Sequence, residues 1–154
     1  MTITLDEIKA EQTRLAKMIE TFETQATARE AIHIPEQTIE LDPGEHYAGI
    51  ITGQGGEAPY HLILMAAKPT DDLNFEAAGT WAKQVGGSLP SRREQALLYA
   101  NLKDQFDEAW YWSSEPHAAD ADYAWYQDFY DGNQNSNGKA AELRARAVRR
   151  LTIE

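Results

Sequence analysis

Cysteine is missing from all 154 residues. No disulfide staples the fold, and no thiolate serves as nucleophile or metal ligand. Positive charge is scarce: 14 Lys and Arg stand against 25 Asp and Glu, a formal charge of −11. That balance argues against nonspecific nucleic-acid binding and against docking on anionic lipid, since both need a basic surface. Between Asp104 and Gly138 the chain carries acids and no Lys or Arg; the cations gather instead near the end, at Lys139, Arg144, Arg146, Arg149 and Arg150. No apolar run approaches the length of a membrane span. The opening MTITLDEIKAEQ has neither the basic nor the apolar region of a secretion signal. A soluble protein kept in a cytoplasm is expected. Apolar residues make up 42% of the chain, enough for one core, and the length suits one domain with an appendage.

The appendage comes first. Residues 4–28 read as one helix with no Gly or Pro inside it. Thr4 and Glu7 form a capping box, in which hydroxyl and carboxylate satisfy the first free amides. Ile8, Leu15 and Phe22 recur every seven residues, with Leu5, Met18 and Ile19 beside them, while Glu11 and Gln12 interrupt the stripe. This helix either packs on its own domain or self-associates as a short coiled coil. Residues 1–30 are therefore set apart as a helix that could join copies into a homo-oligomer, and residues 31–154 as the domain.

Within the domain, alternation predicts short strands at 37–41 and 46–52, a glycine-rich loop at 53–58 and a buried strand at 59–67. Helices follow at 75–85, ended by Gly86-Gly87, and at 92–102, opened by a second capping box of Ser91 and Glu94. The first should bury Phe75, Ala78, Trp81, Ala82 and Val85, the second Ala96, Leu97, Tyr99 and Ala100. The last part is aromatic: Trp110, Trp112 and Trp125 are three of the four tryptophans. Strands are expected at 110–113 and 123–130, with a loop at 115–122 between them. Asp131-Gly132-Asn133 makes a tight turn, 134–138 a polar loop, and 143–151 a closing strand rich in arginine. Alternation puts Trp125, Gln127 and Phe129 on one face of the second strand and Tyr126, Asp128 and Tyr130 on the other. The first face is the better core candidate.

The segments PGEHYAGII, PYHLILM, GGSLPSRREQALL, WYWSSE, AWYQDFYDGNQ and RARAVRR occur in this order. As an ordered set they resemble the Lcl C-terminal domain family, found in bacterial surface proteins and in phage and prophage genes. The resemblance covers residues 42–151. It implies an α+β, C-type-lectin-like fold, with two helices flanking a twisted antiparallel sheet and the ligand surface on the later strands and loops. By that comparison Trp81, Trp112, Trp125 and Phe129 match core positions. Tyr111, Glu115, His117, Tyr126, Asp128, Tyr130, Asn133, Asn135 and Arg144 are the candidates for surface contacts. Aromatics beside amides and carboxylates make adaptable binding surfaces, because they bury area at low entropic cost.

Catalytic and metal chemistry are poorly represented. Calcium-dependent lectins carry Glu-Pro-Asn and a later Trp-Asn-Asp; here Glu115-Pro116-His117 stands without the second motif. Asp120, Asp122, Asp128 and Asp131 offer hard oxygens, but no calcium pattern joins them. His33, His46, His61 and His117 lack zinc-ligand spacing. Ser113, His117 and Asp120 assemble a hydrolase only on paper, without a nucleophile elbow. The terminal arginines read either as an anion site or, preferably, as partners for the acidic run that lock the last strand in place. The expectation is a non-enzymatic binding module of the phage or prophage type, without metal or cofactor. It would recognise a protein or a glycan, with neither nucleic acid nor membrane as partner, in the host cytoplasm or on the virion. A structural tail or baseplate part is the alternative, and a cryptic hydrolase the more distant one.

Overall fold

The computed structural model describes residues 2–27 and 30–153. The chain divides into two compact units, Met1–Pro35 and Glu36–Glu154. The first holds helix α1 (Leu5–Thr27), which buries none of its residues. Its start is the expected capping box: the Thr4 amide donates to Glu7 Oε2 at 2.8 Å, and the Glu7 amide donates to Thr4 Oγ1 at 3.3 Å. The last residue of the expected helix, Ala28, lies outside the described residues.

The second unit is α+β. Strands β1 (His46–Ile51) and β2 (Tyr60–Leu64) are followed by helices α2 (Phe75–Gln84) and α3 (Arg92–Leu102). After these come β3 (Trp110–Pro116), β4 (Tyr123–Asp128), β5 (Gln134–Gly138) and β6 (Val148–Thr152). The strands form two antiparallel sheets of three, ordered β1-β2-β6 and β3-β4-β5. Among the described residues no helix is long and apolar enough to cross a membrane.

Two apolar clusters hold the unit together. One packs Trp112, Ala124 and Tyr126 with Ala78 and Ala82 of α2 and with Leu143, Ala145 and Ala147. The other packs Leu62, Leu64 and Val148 with Leu98 of α3, Tyr111 and Phe129. As expected, α2 turns Ala78 and Ala82 inward, with Phe75, Trp81 and Val85 partly covered. Helix α3 differs from expectation. It buries Glu94, Gln95 and Leu98, while Ala96 and Ala100 face out. Two polar residues occupy the inner face because both find partners there. Gln95 Nε2 donates to Tyr111 O at 3.0 Å, and Glu94 meets Arg150.

Three strand expectations change. Residues 37–41 form no strand. Their polar groups bond to side chains instead: Arg149 Nη2 donates to Glu40 O at 2.9 Å, and Gln37 Oε1 lies 3.2 Å from His61 Nε2. The polar stretch 134–138 is the edge strand β5, whose backbone pairs with β4 from Tyr123↔Gly138 to Gln127↔Gln134. An edge strand tolerates polar residues because one side of it meets water. The closing strand is shortened to β6; residues 143–147 instead bridge other elements singly, through Leu73↔Leu143 and the parallel bridge Tyr111↔Arg144. Gly132, in the turn between β4 and β5, has φ +84, and a Cβ there would lie 2.7 Å from the Tyr99 ring. Only glycine suits both conditions.

Candidate functional site: a pinned tryptophan on the second sheet

The register of β3, β4 and β5 decides which side chains share a face. Trp110 opposes Asp128, Trp112 opposes Tyr126, and Tyr126 opposes Asn135. Partners across an antiparallel pair project to the same side. One face of this sheet therefore carries Trp110, Trp112, Tyr126, Asp128 and Asn135. Its inner part, Trp112 and Tyr126, lies in the cluster with α2. Its outer part is uncovered: Trp110 is 42% exposed, and Asn135 is also exposed.

Trp110 is held from two directions. Its ring stacks on Tyr126, with centroids 4.6 Å apart and planes 22° off parallel. Its Nε1 donates to Asp128 Oδ2 at 3.1 Å, while Asp128 Oδ1 accepts from the Tyr130 amide at 2.8 Å. Both carboxylate oxygens are thus engaged, and Asp128 fixes the ring to the start of the turn. Burial raises the pKa of the Tyr126 phenol, and the nearby Asp128 and Asp131 carboxylates raise it further. Tyr126 stays neutral as the floor beneath the plate. Asp131 closes the turn by accepting from both the backbone and side-chain nitrogens of Asn133, each at 2.9 Å.

The nine expected contact residues separate into groups. Asp128 and Asn135 fall on the Trp110 face, and Tyr130 (64% exposed) and Asn133 lie on the adjoining turn. Tyr126 shares that face but is buried, and Tyr111 is buried too. For these two the expected surface position is overturned. Tyr111 points to the opposite side of β3, packing edge-on against Phe106 and Phe129, with its hydroxyl accepting from the Asp107 amide at 3.1 Å. Arg144 is exposed and pairs with Asp107, beside a small cavity of about 260 Å³ that Tyr111 also lines. Glu115 and His117 sit elsewhere. Glu115 Oε2 accepts from the Arg92 amide at 2.6 Å, in the first turn of α3. His117 Nδ1 accepts from the amides of Ala119 and Asp120, at 3.1 and 3.2 Å, and so shapes its own loop.

Trp125, expected in the core, is half-buried beneath charge: the Arg92 guanidinium lies 3.6 Å over its ring, and His117 stacks beside it. Arg92 also donates to Gln134 at 3.1 Å, and Gln134 donates to Arg92 O at 2.7 Å. This lattice walls a polar cavity of about 850 Å³ along the start of α3. Its floor is Glu94, fully buried, which accepts from Arg150 Nε at 2.6 Å and from the Tyr60 hydroxyl at 2.8 Å. Burial alone would raise the Glu94 carboxyl. Hydrogen bonds from Arg150, the Ser91 amide and Tyr60 outweigh it and hold the pKa below the ordinary value. Every polar group of that floor is therefore committed to structure.

The terminal arginines are mostly internal partners, though their carboxylates lie largely outside the acidic run. Arg149 pairs with Glu45 at 2.8 Å and Arg150 with Glu94, while Arg146 donates to Gln105 O and Met65 O, both at 2.8 Å. Ser113 is fully buried and its hydroxyl donates to Trp125 O at 2.7 Å; it makes no hydrogen bond to His117. Among the described residues no group of three or more His, Asp or Glu converges as a metal site. Asp120 instead caps the Asp122 amide at 3.0 Å.

Sequence reasoning missed Trp110, Arg92 and Gln134. For Trp110 a signal existed: it has the parity of Trp112, and a strand starting at 110 faces the same side as Asp128 once the two strands are paired. No family model and no curated protein matches the chain.

Proposed function

We propose that the second unit is a non-enzymatic binding domain that recognises a protein or a glycan through the Trp110 face. Trp110 supplies the apolar plate, and Asp128, Asn133 and Asn135 supply the polar rim. The observation that carries this reading is the pinned ring. A large aromatic side chain is left substantially exposed and yet is fixed by a stack below and a charged hydrogen bond at its edge. Preorganisation of this kind lowers the entropic cost of binding. Exposed aromatics framed by amides and carboxylates suit ligands that present both an apolar patch and hydroxyl or amide groups.

The finer fold reading belongs to the same proposal. We read residues 36–153 as a C-type-lectin-like domain of the Lcl C-terminal type, in a phage or prophage protein. In support, two helices accompany antiparallel sheets, and the arginine-bearing last strand pairs along β2, the central strand of its sheet.

The test is capture. The immobilised chain is presented with a glycan array and, separately, with a bacterial lysate, alongside the Trp110→Ala and Asn135→Ala variants. A ligand held by the native chain and lost at least tenfold in Trp110→Ala, with far-UV circular dichroism and a cooperative melt retained, is the expected result. Equal capture by Trp110→Ala would sink the assignment of this face.

A further inference from the structure

Helix α1 poses a separate problem. It is 23 residues long and buries nothing. Leu5, Ile8, Leu15, Met18, Ile19 and Phe22 are each at least 47% exposed. Most helical stability in proteins comes from packing an apolar face rather than from intrinsic propensity, and α1 packs no such face within its own chain. The spacing of that face identifies what would cover it. Leu5, Gln12, Ile19 and Ala26 fall seven residues apart, and so do Ile8, Leu15 and Phe22, three residues behind. These are the a and d positions of a heptad seam. A strict seven-residue repeat follows a partner helix, whereas packing onto a globular surface uses a wider stripe.

We propose that α1 joins this chain to further copies of itself as a parallel, in-register coiled coil. Gln12 sets the orientation. It is the single polar residue at an a position. In a parallel seam Gln12 meets Gln12 of the other copy, and the two amides satisfy each other. In the antiparallel alignment that pairs Leu5 with Phe22, Gln12 faces Leu15, and a buried amide is left without a partner. The flanking positions agree. In the parallel seam Glu11 falls beside Ala16, and Met18 beside Glu23, so no like charges oppose each other. Glu11 is already bound within its own helix by Arg14, at 2.6 Å. This inference rests on α1 alone and is independent of the ligand reading.

The experiment uses the full chain, which has no native cysteine to interfere. Leu5→Cys and Phe22→Cys place one thiol toward either end of the seam, in separate preparations. The native chain should run above monomer mass in sedimentation over a wide concentration range. Each single-cysteine variant should then cross-link to itself on mild oxidation. Leu15→Asp should be monomeric with an unchanged near-UV spectrum, which shows that the second unit stays folded. Cross-linking only in a mixture of Leu5→Cys with a size-tagged Phe22→Cys chain, whose thiols face each other in the antiparallel alignment, would overturn the parallel arrangement. A native chain that stays monomeric at every concentration would overturn self-association itself.

Discussion

Single side chains carry two kinds of aromatic in this protein, and substitution separates them. Tyr126 and Tyr130 lie four residues apart near the end of β4, yet one is buried and the other is 64% exposed. Tyr126→Ala should cost about 3 kcal/mol, as large-to-small core changes do. Tyr130→Ala should stay within about 0.5 kcal/mol. Denaturant melts of the two variants check both. The arginines divide likewise. Arg150→Met strands the buried Glu94 carboxylate, and loss of about 3 kcal/mol is expected. Arg144→Met removes an exposed pair with Asp107, for which about 1 kcal/mol is the ceiling. If the two cost the same, the contrast between a buried carboxylate floor and a surface pair is wrong.

At the scale of elements, starts and turns were legible because their signals are local. The Ser91–Glu94 capping box is present in both directions, at 3.3 and 2.8 Å. Ser91→Ala should cost about 1 kcal/mol. The readout is a melt, with ligand capture unchanged. Gly132→Ala meets both a left-handed backbone and the Tyr99 ring. It should destabilise by more than about 1 kcal/mol and also weaken capture, because Gly132 sits in the turn that anchors Asp128 and Asn133. Strand identity was less legible. Residues 134–138 are polar and read as a loop, but β4 supplies a backbone ladder that composition cannot announce. Residues 37–41 alternate like a strand, but side chains from His61 and Arg149 take their polar groups.

Over the whole molecule, charge and pH act together. Glu45 and Glu94 both have depressed pKa values, Glu45 chiefly through its hydrogen bonds from Arg149. A carboxyl lowered by folding stabilises above its unfolded pKa, and that contribution is lost as pH falls through the folded value. Thermal stability should therefore hold near neutrality and fall steadily on acidification below about pH 4.5, near the unfolded carboxyl value. Glu94→Gln should flatten this acid limb while lowering the neutral plateau. An unchanged acid limb in Glu94→Gln would assign acid sensitivity to other carboxylates. If α1 gathers copies in parallel, the domains that follow it attach at one end of the seam. Weak single contacts at Trp110 would then add through effective concentration. Leu15→Asp should cut capture by a multivalent surface while leaving affinity for a soluble monovalent ligand unchanged.

The sequence by itself determined the periodic and the punctuated: the lone first helix, both capping boxes, the glycine turns, the α+β class, and the parity that sets Tyr126 and Asp128 together. These follow from neighbours within a few residues of one another. Only the tertiary structure decided which parity faces water. Strand β4 is central in its sheet, so Tyr126 is covered on one side by the cluster around α2, while Gln127 is buried on the other. The same pairing left Trp110 at the uncovered edge with Asp128 beneath its nitrogen. Burial is a property of what comes to lie on top of a residue. For the outer face of Trp110 that is nothing, and for Tyr126 it is the α2 cluster together with the Trp110 ring.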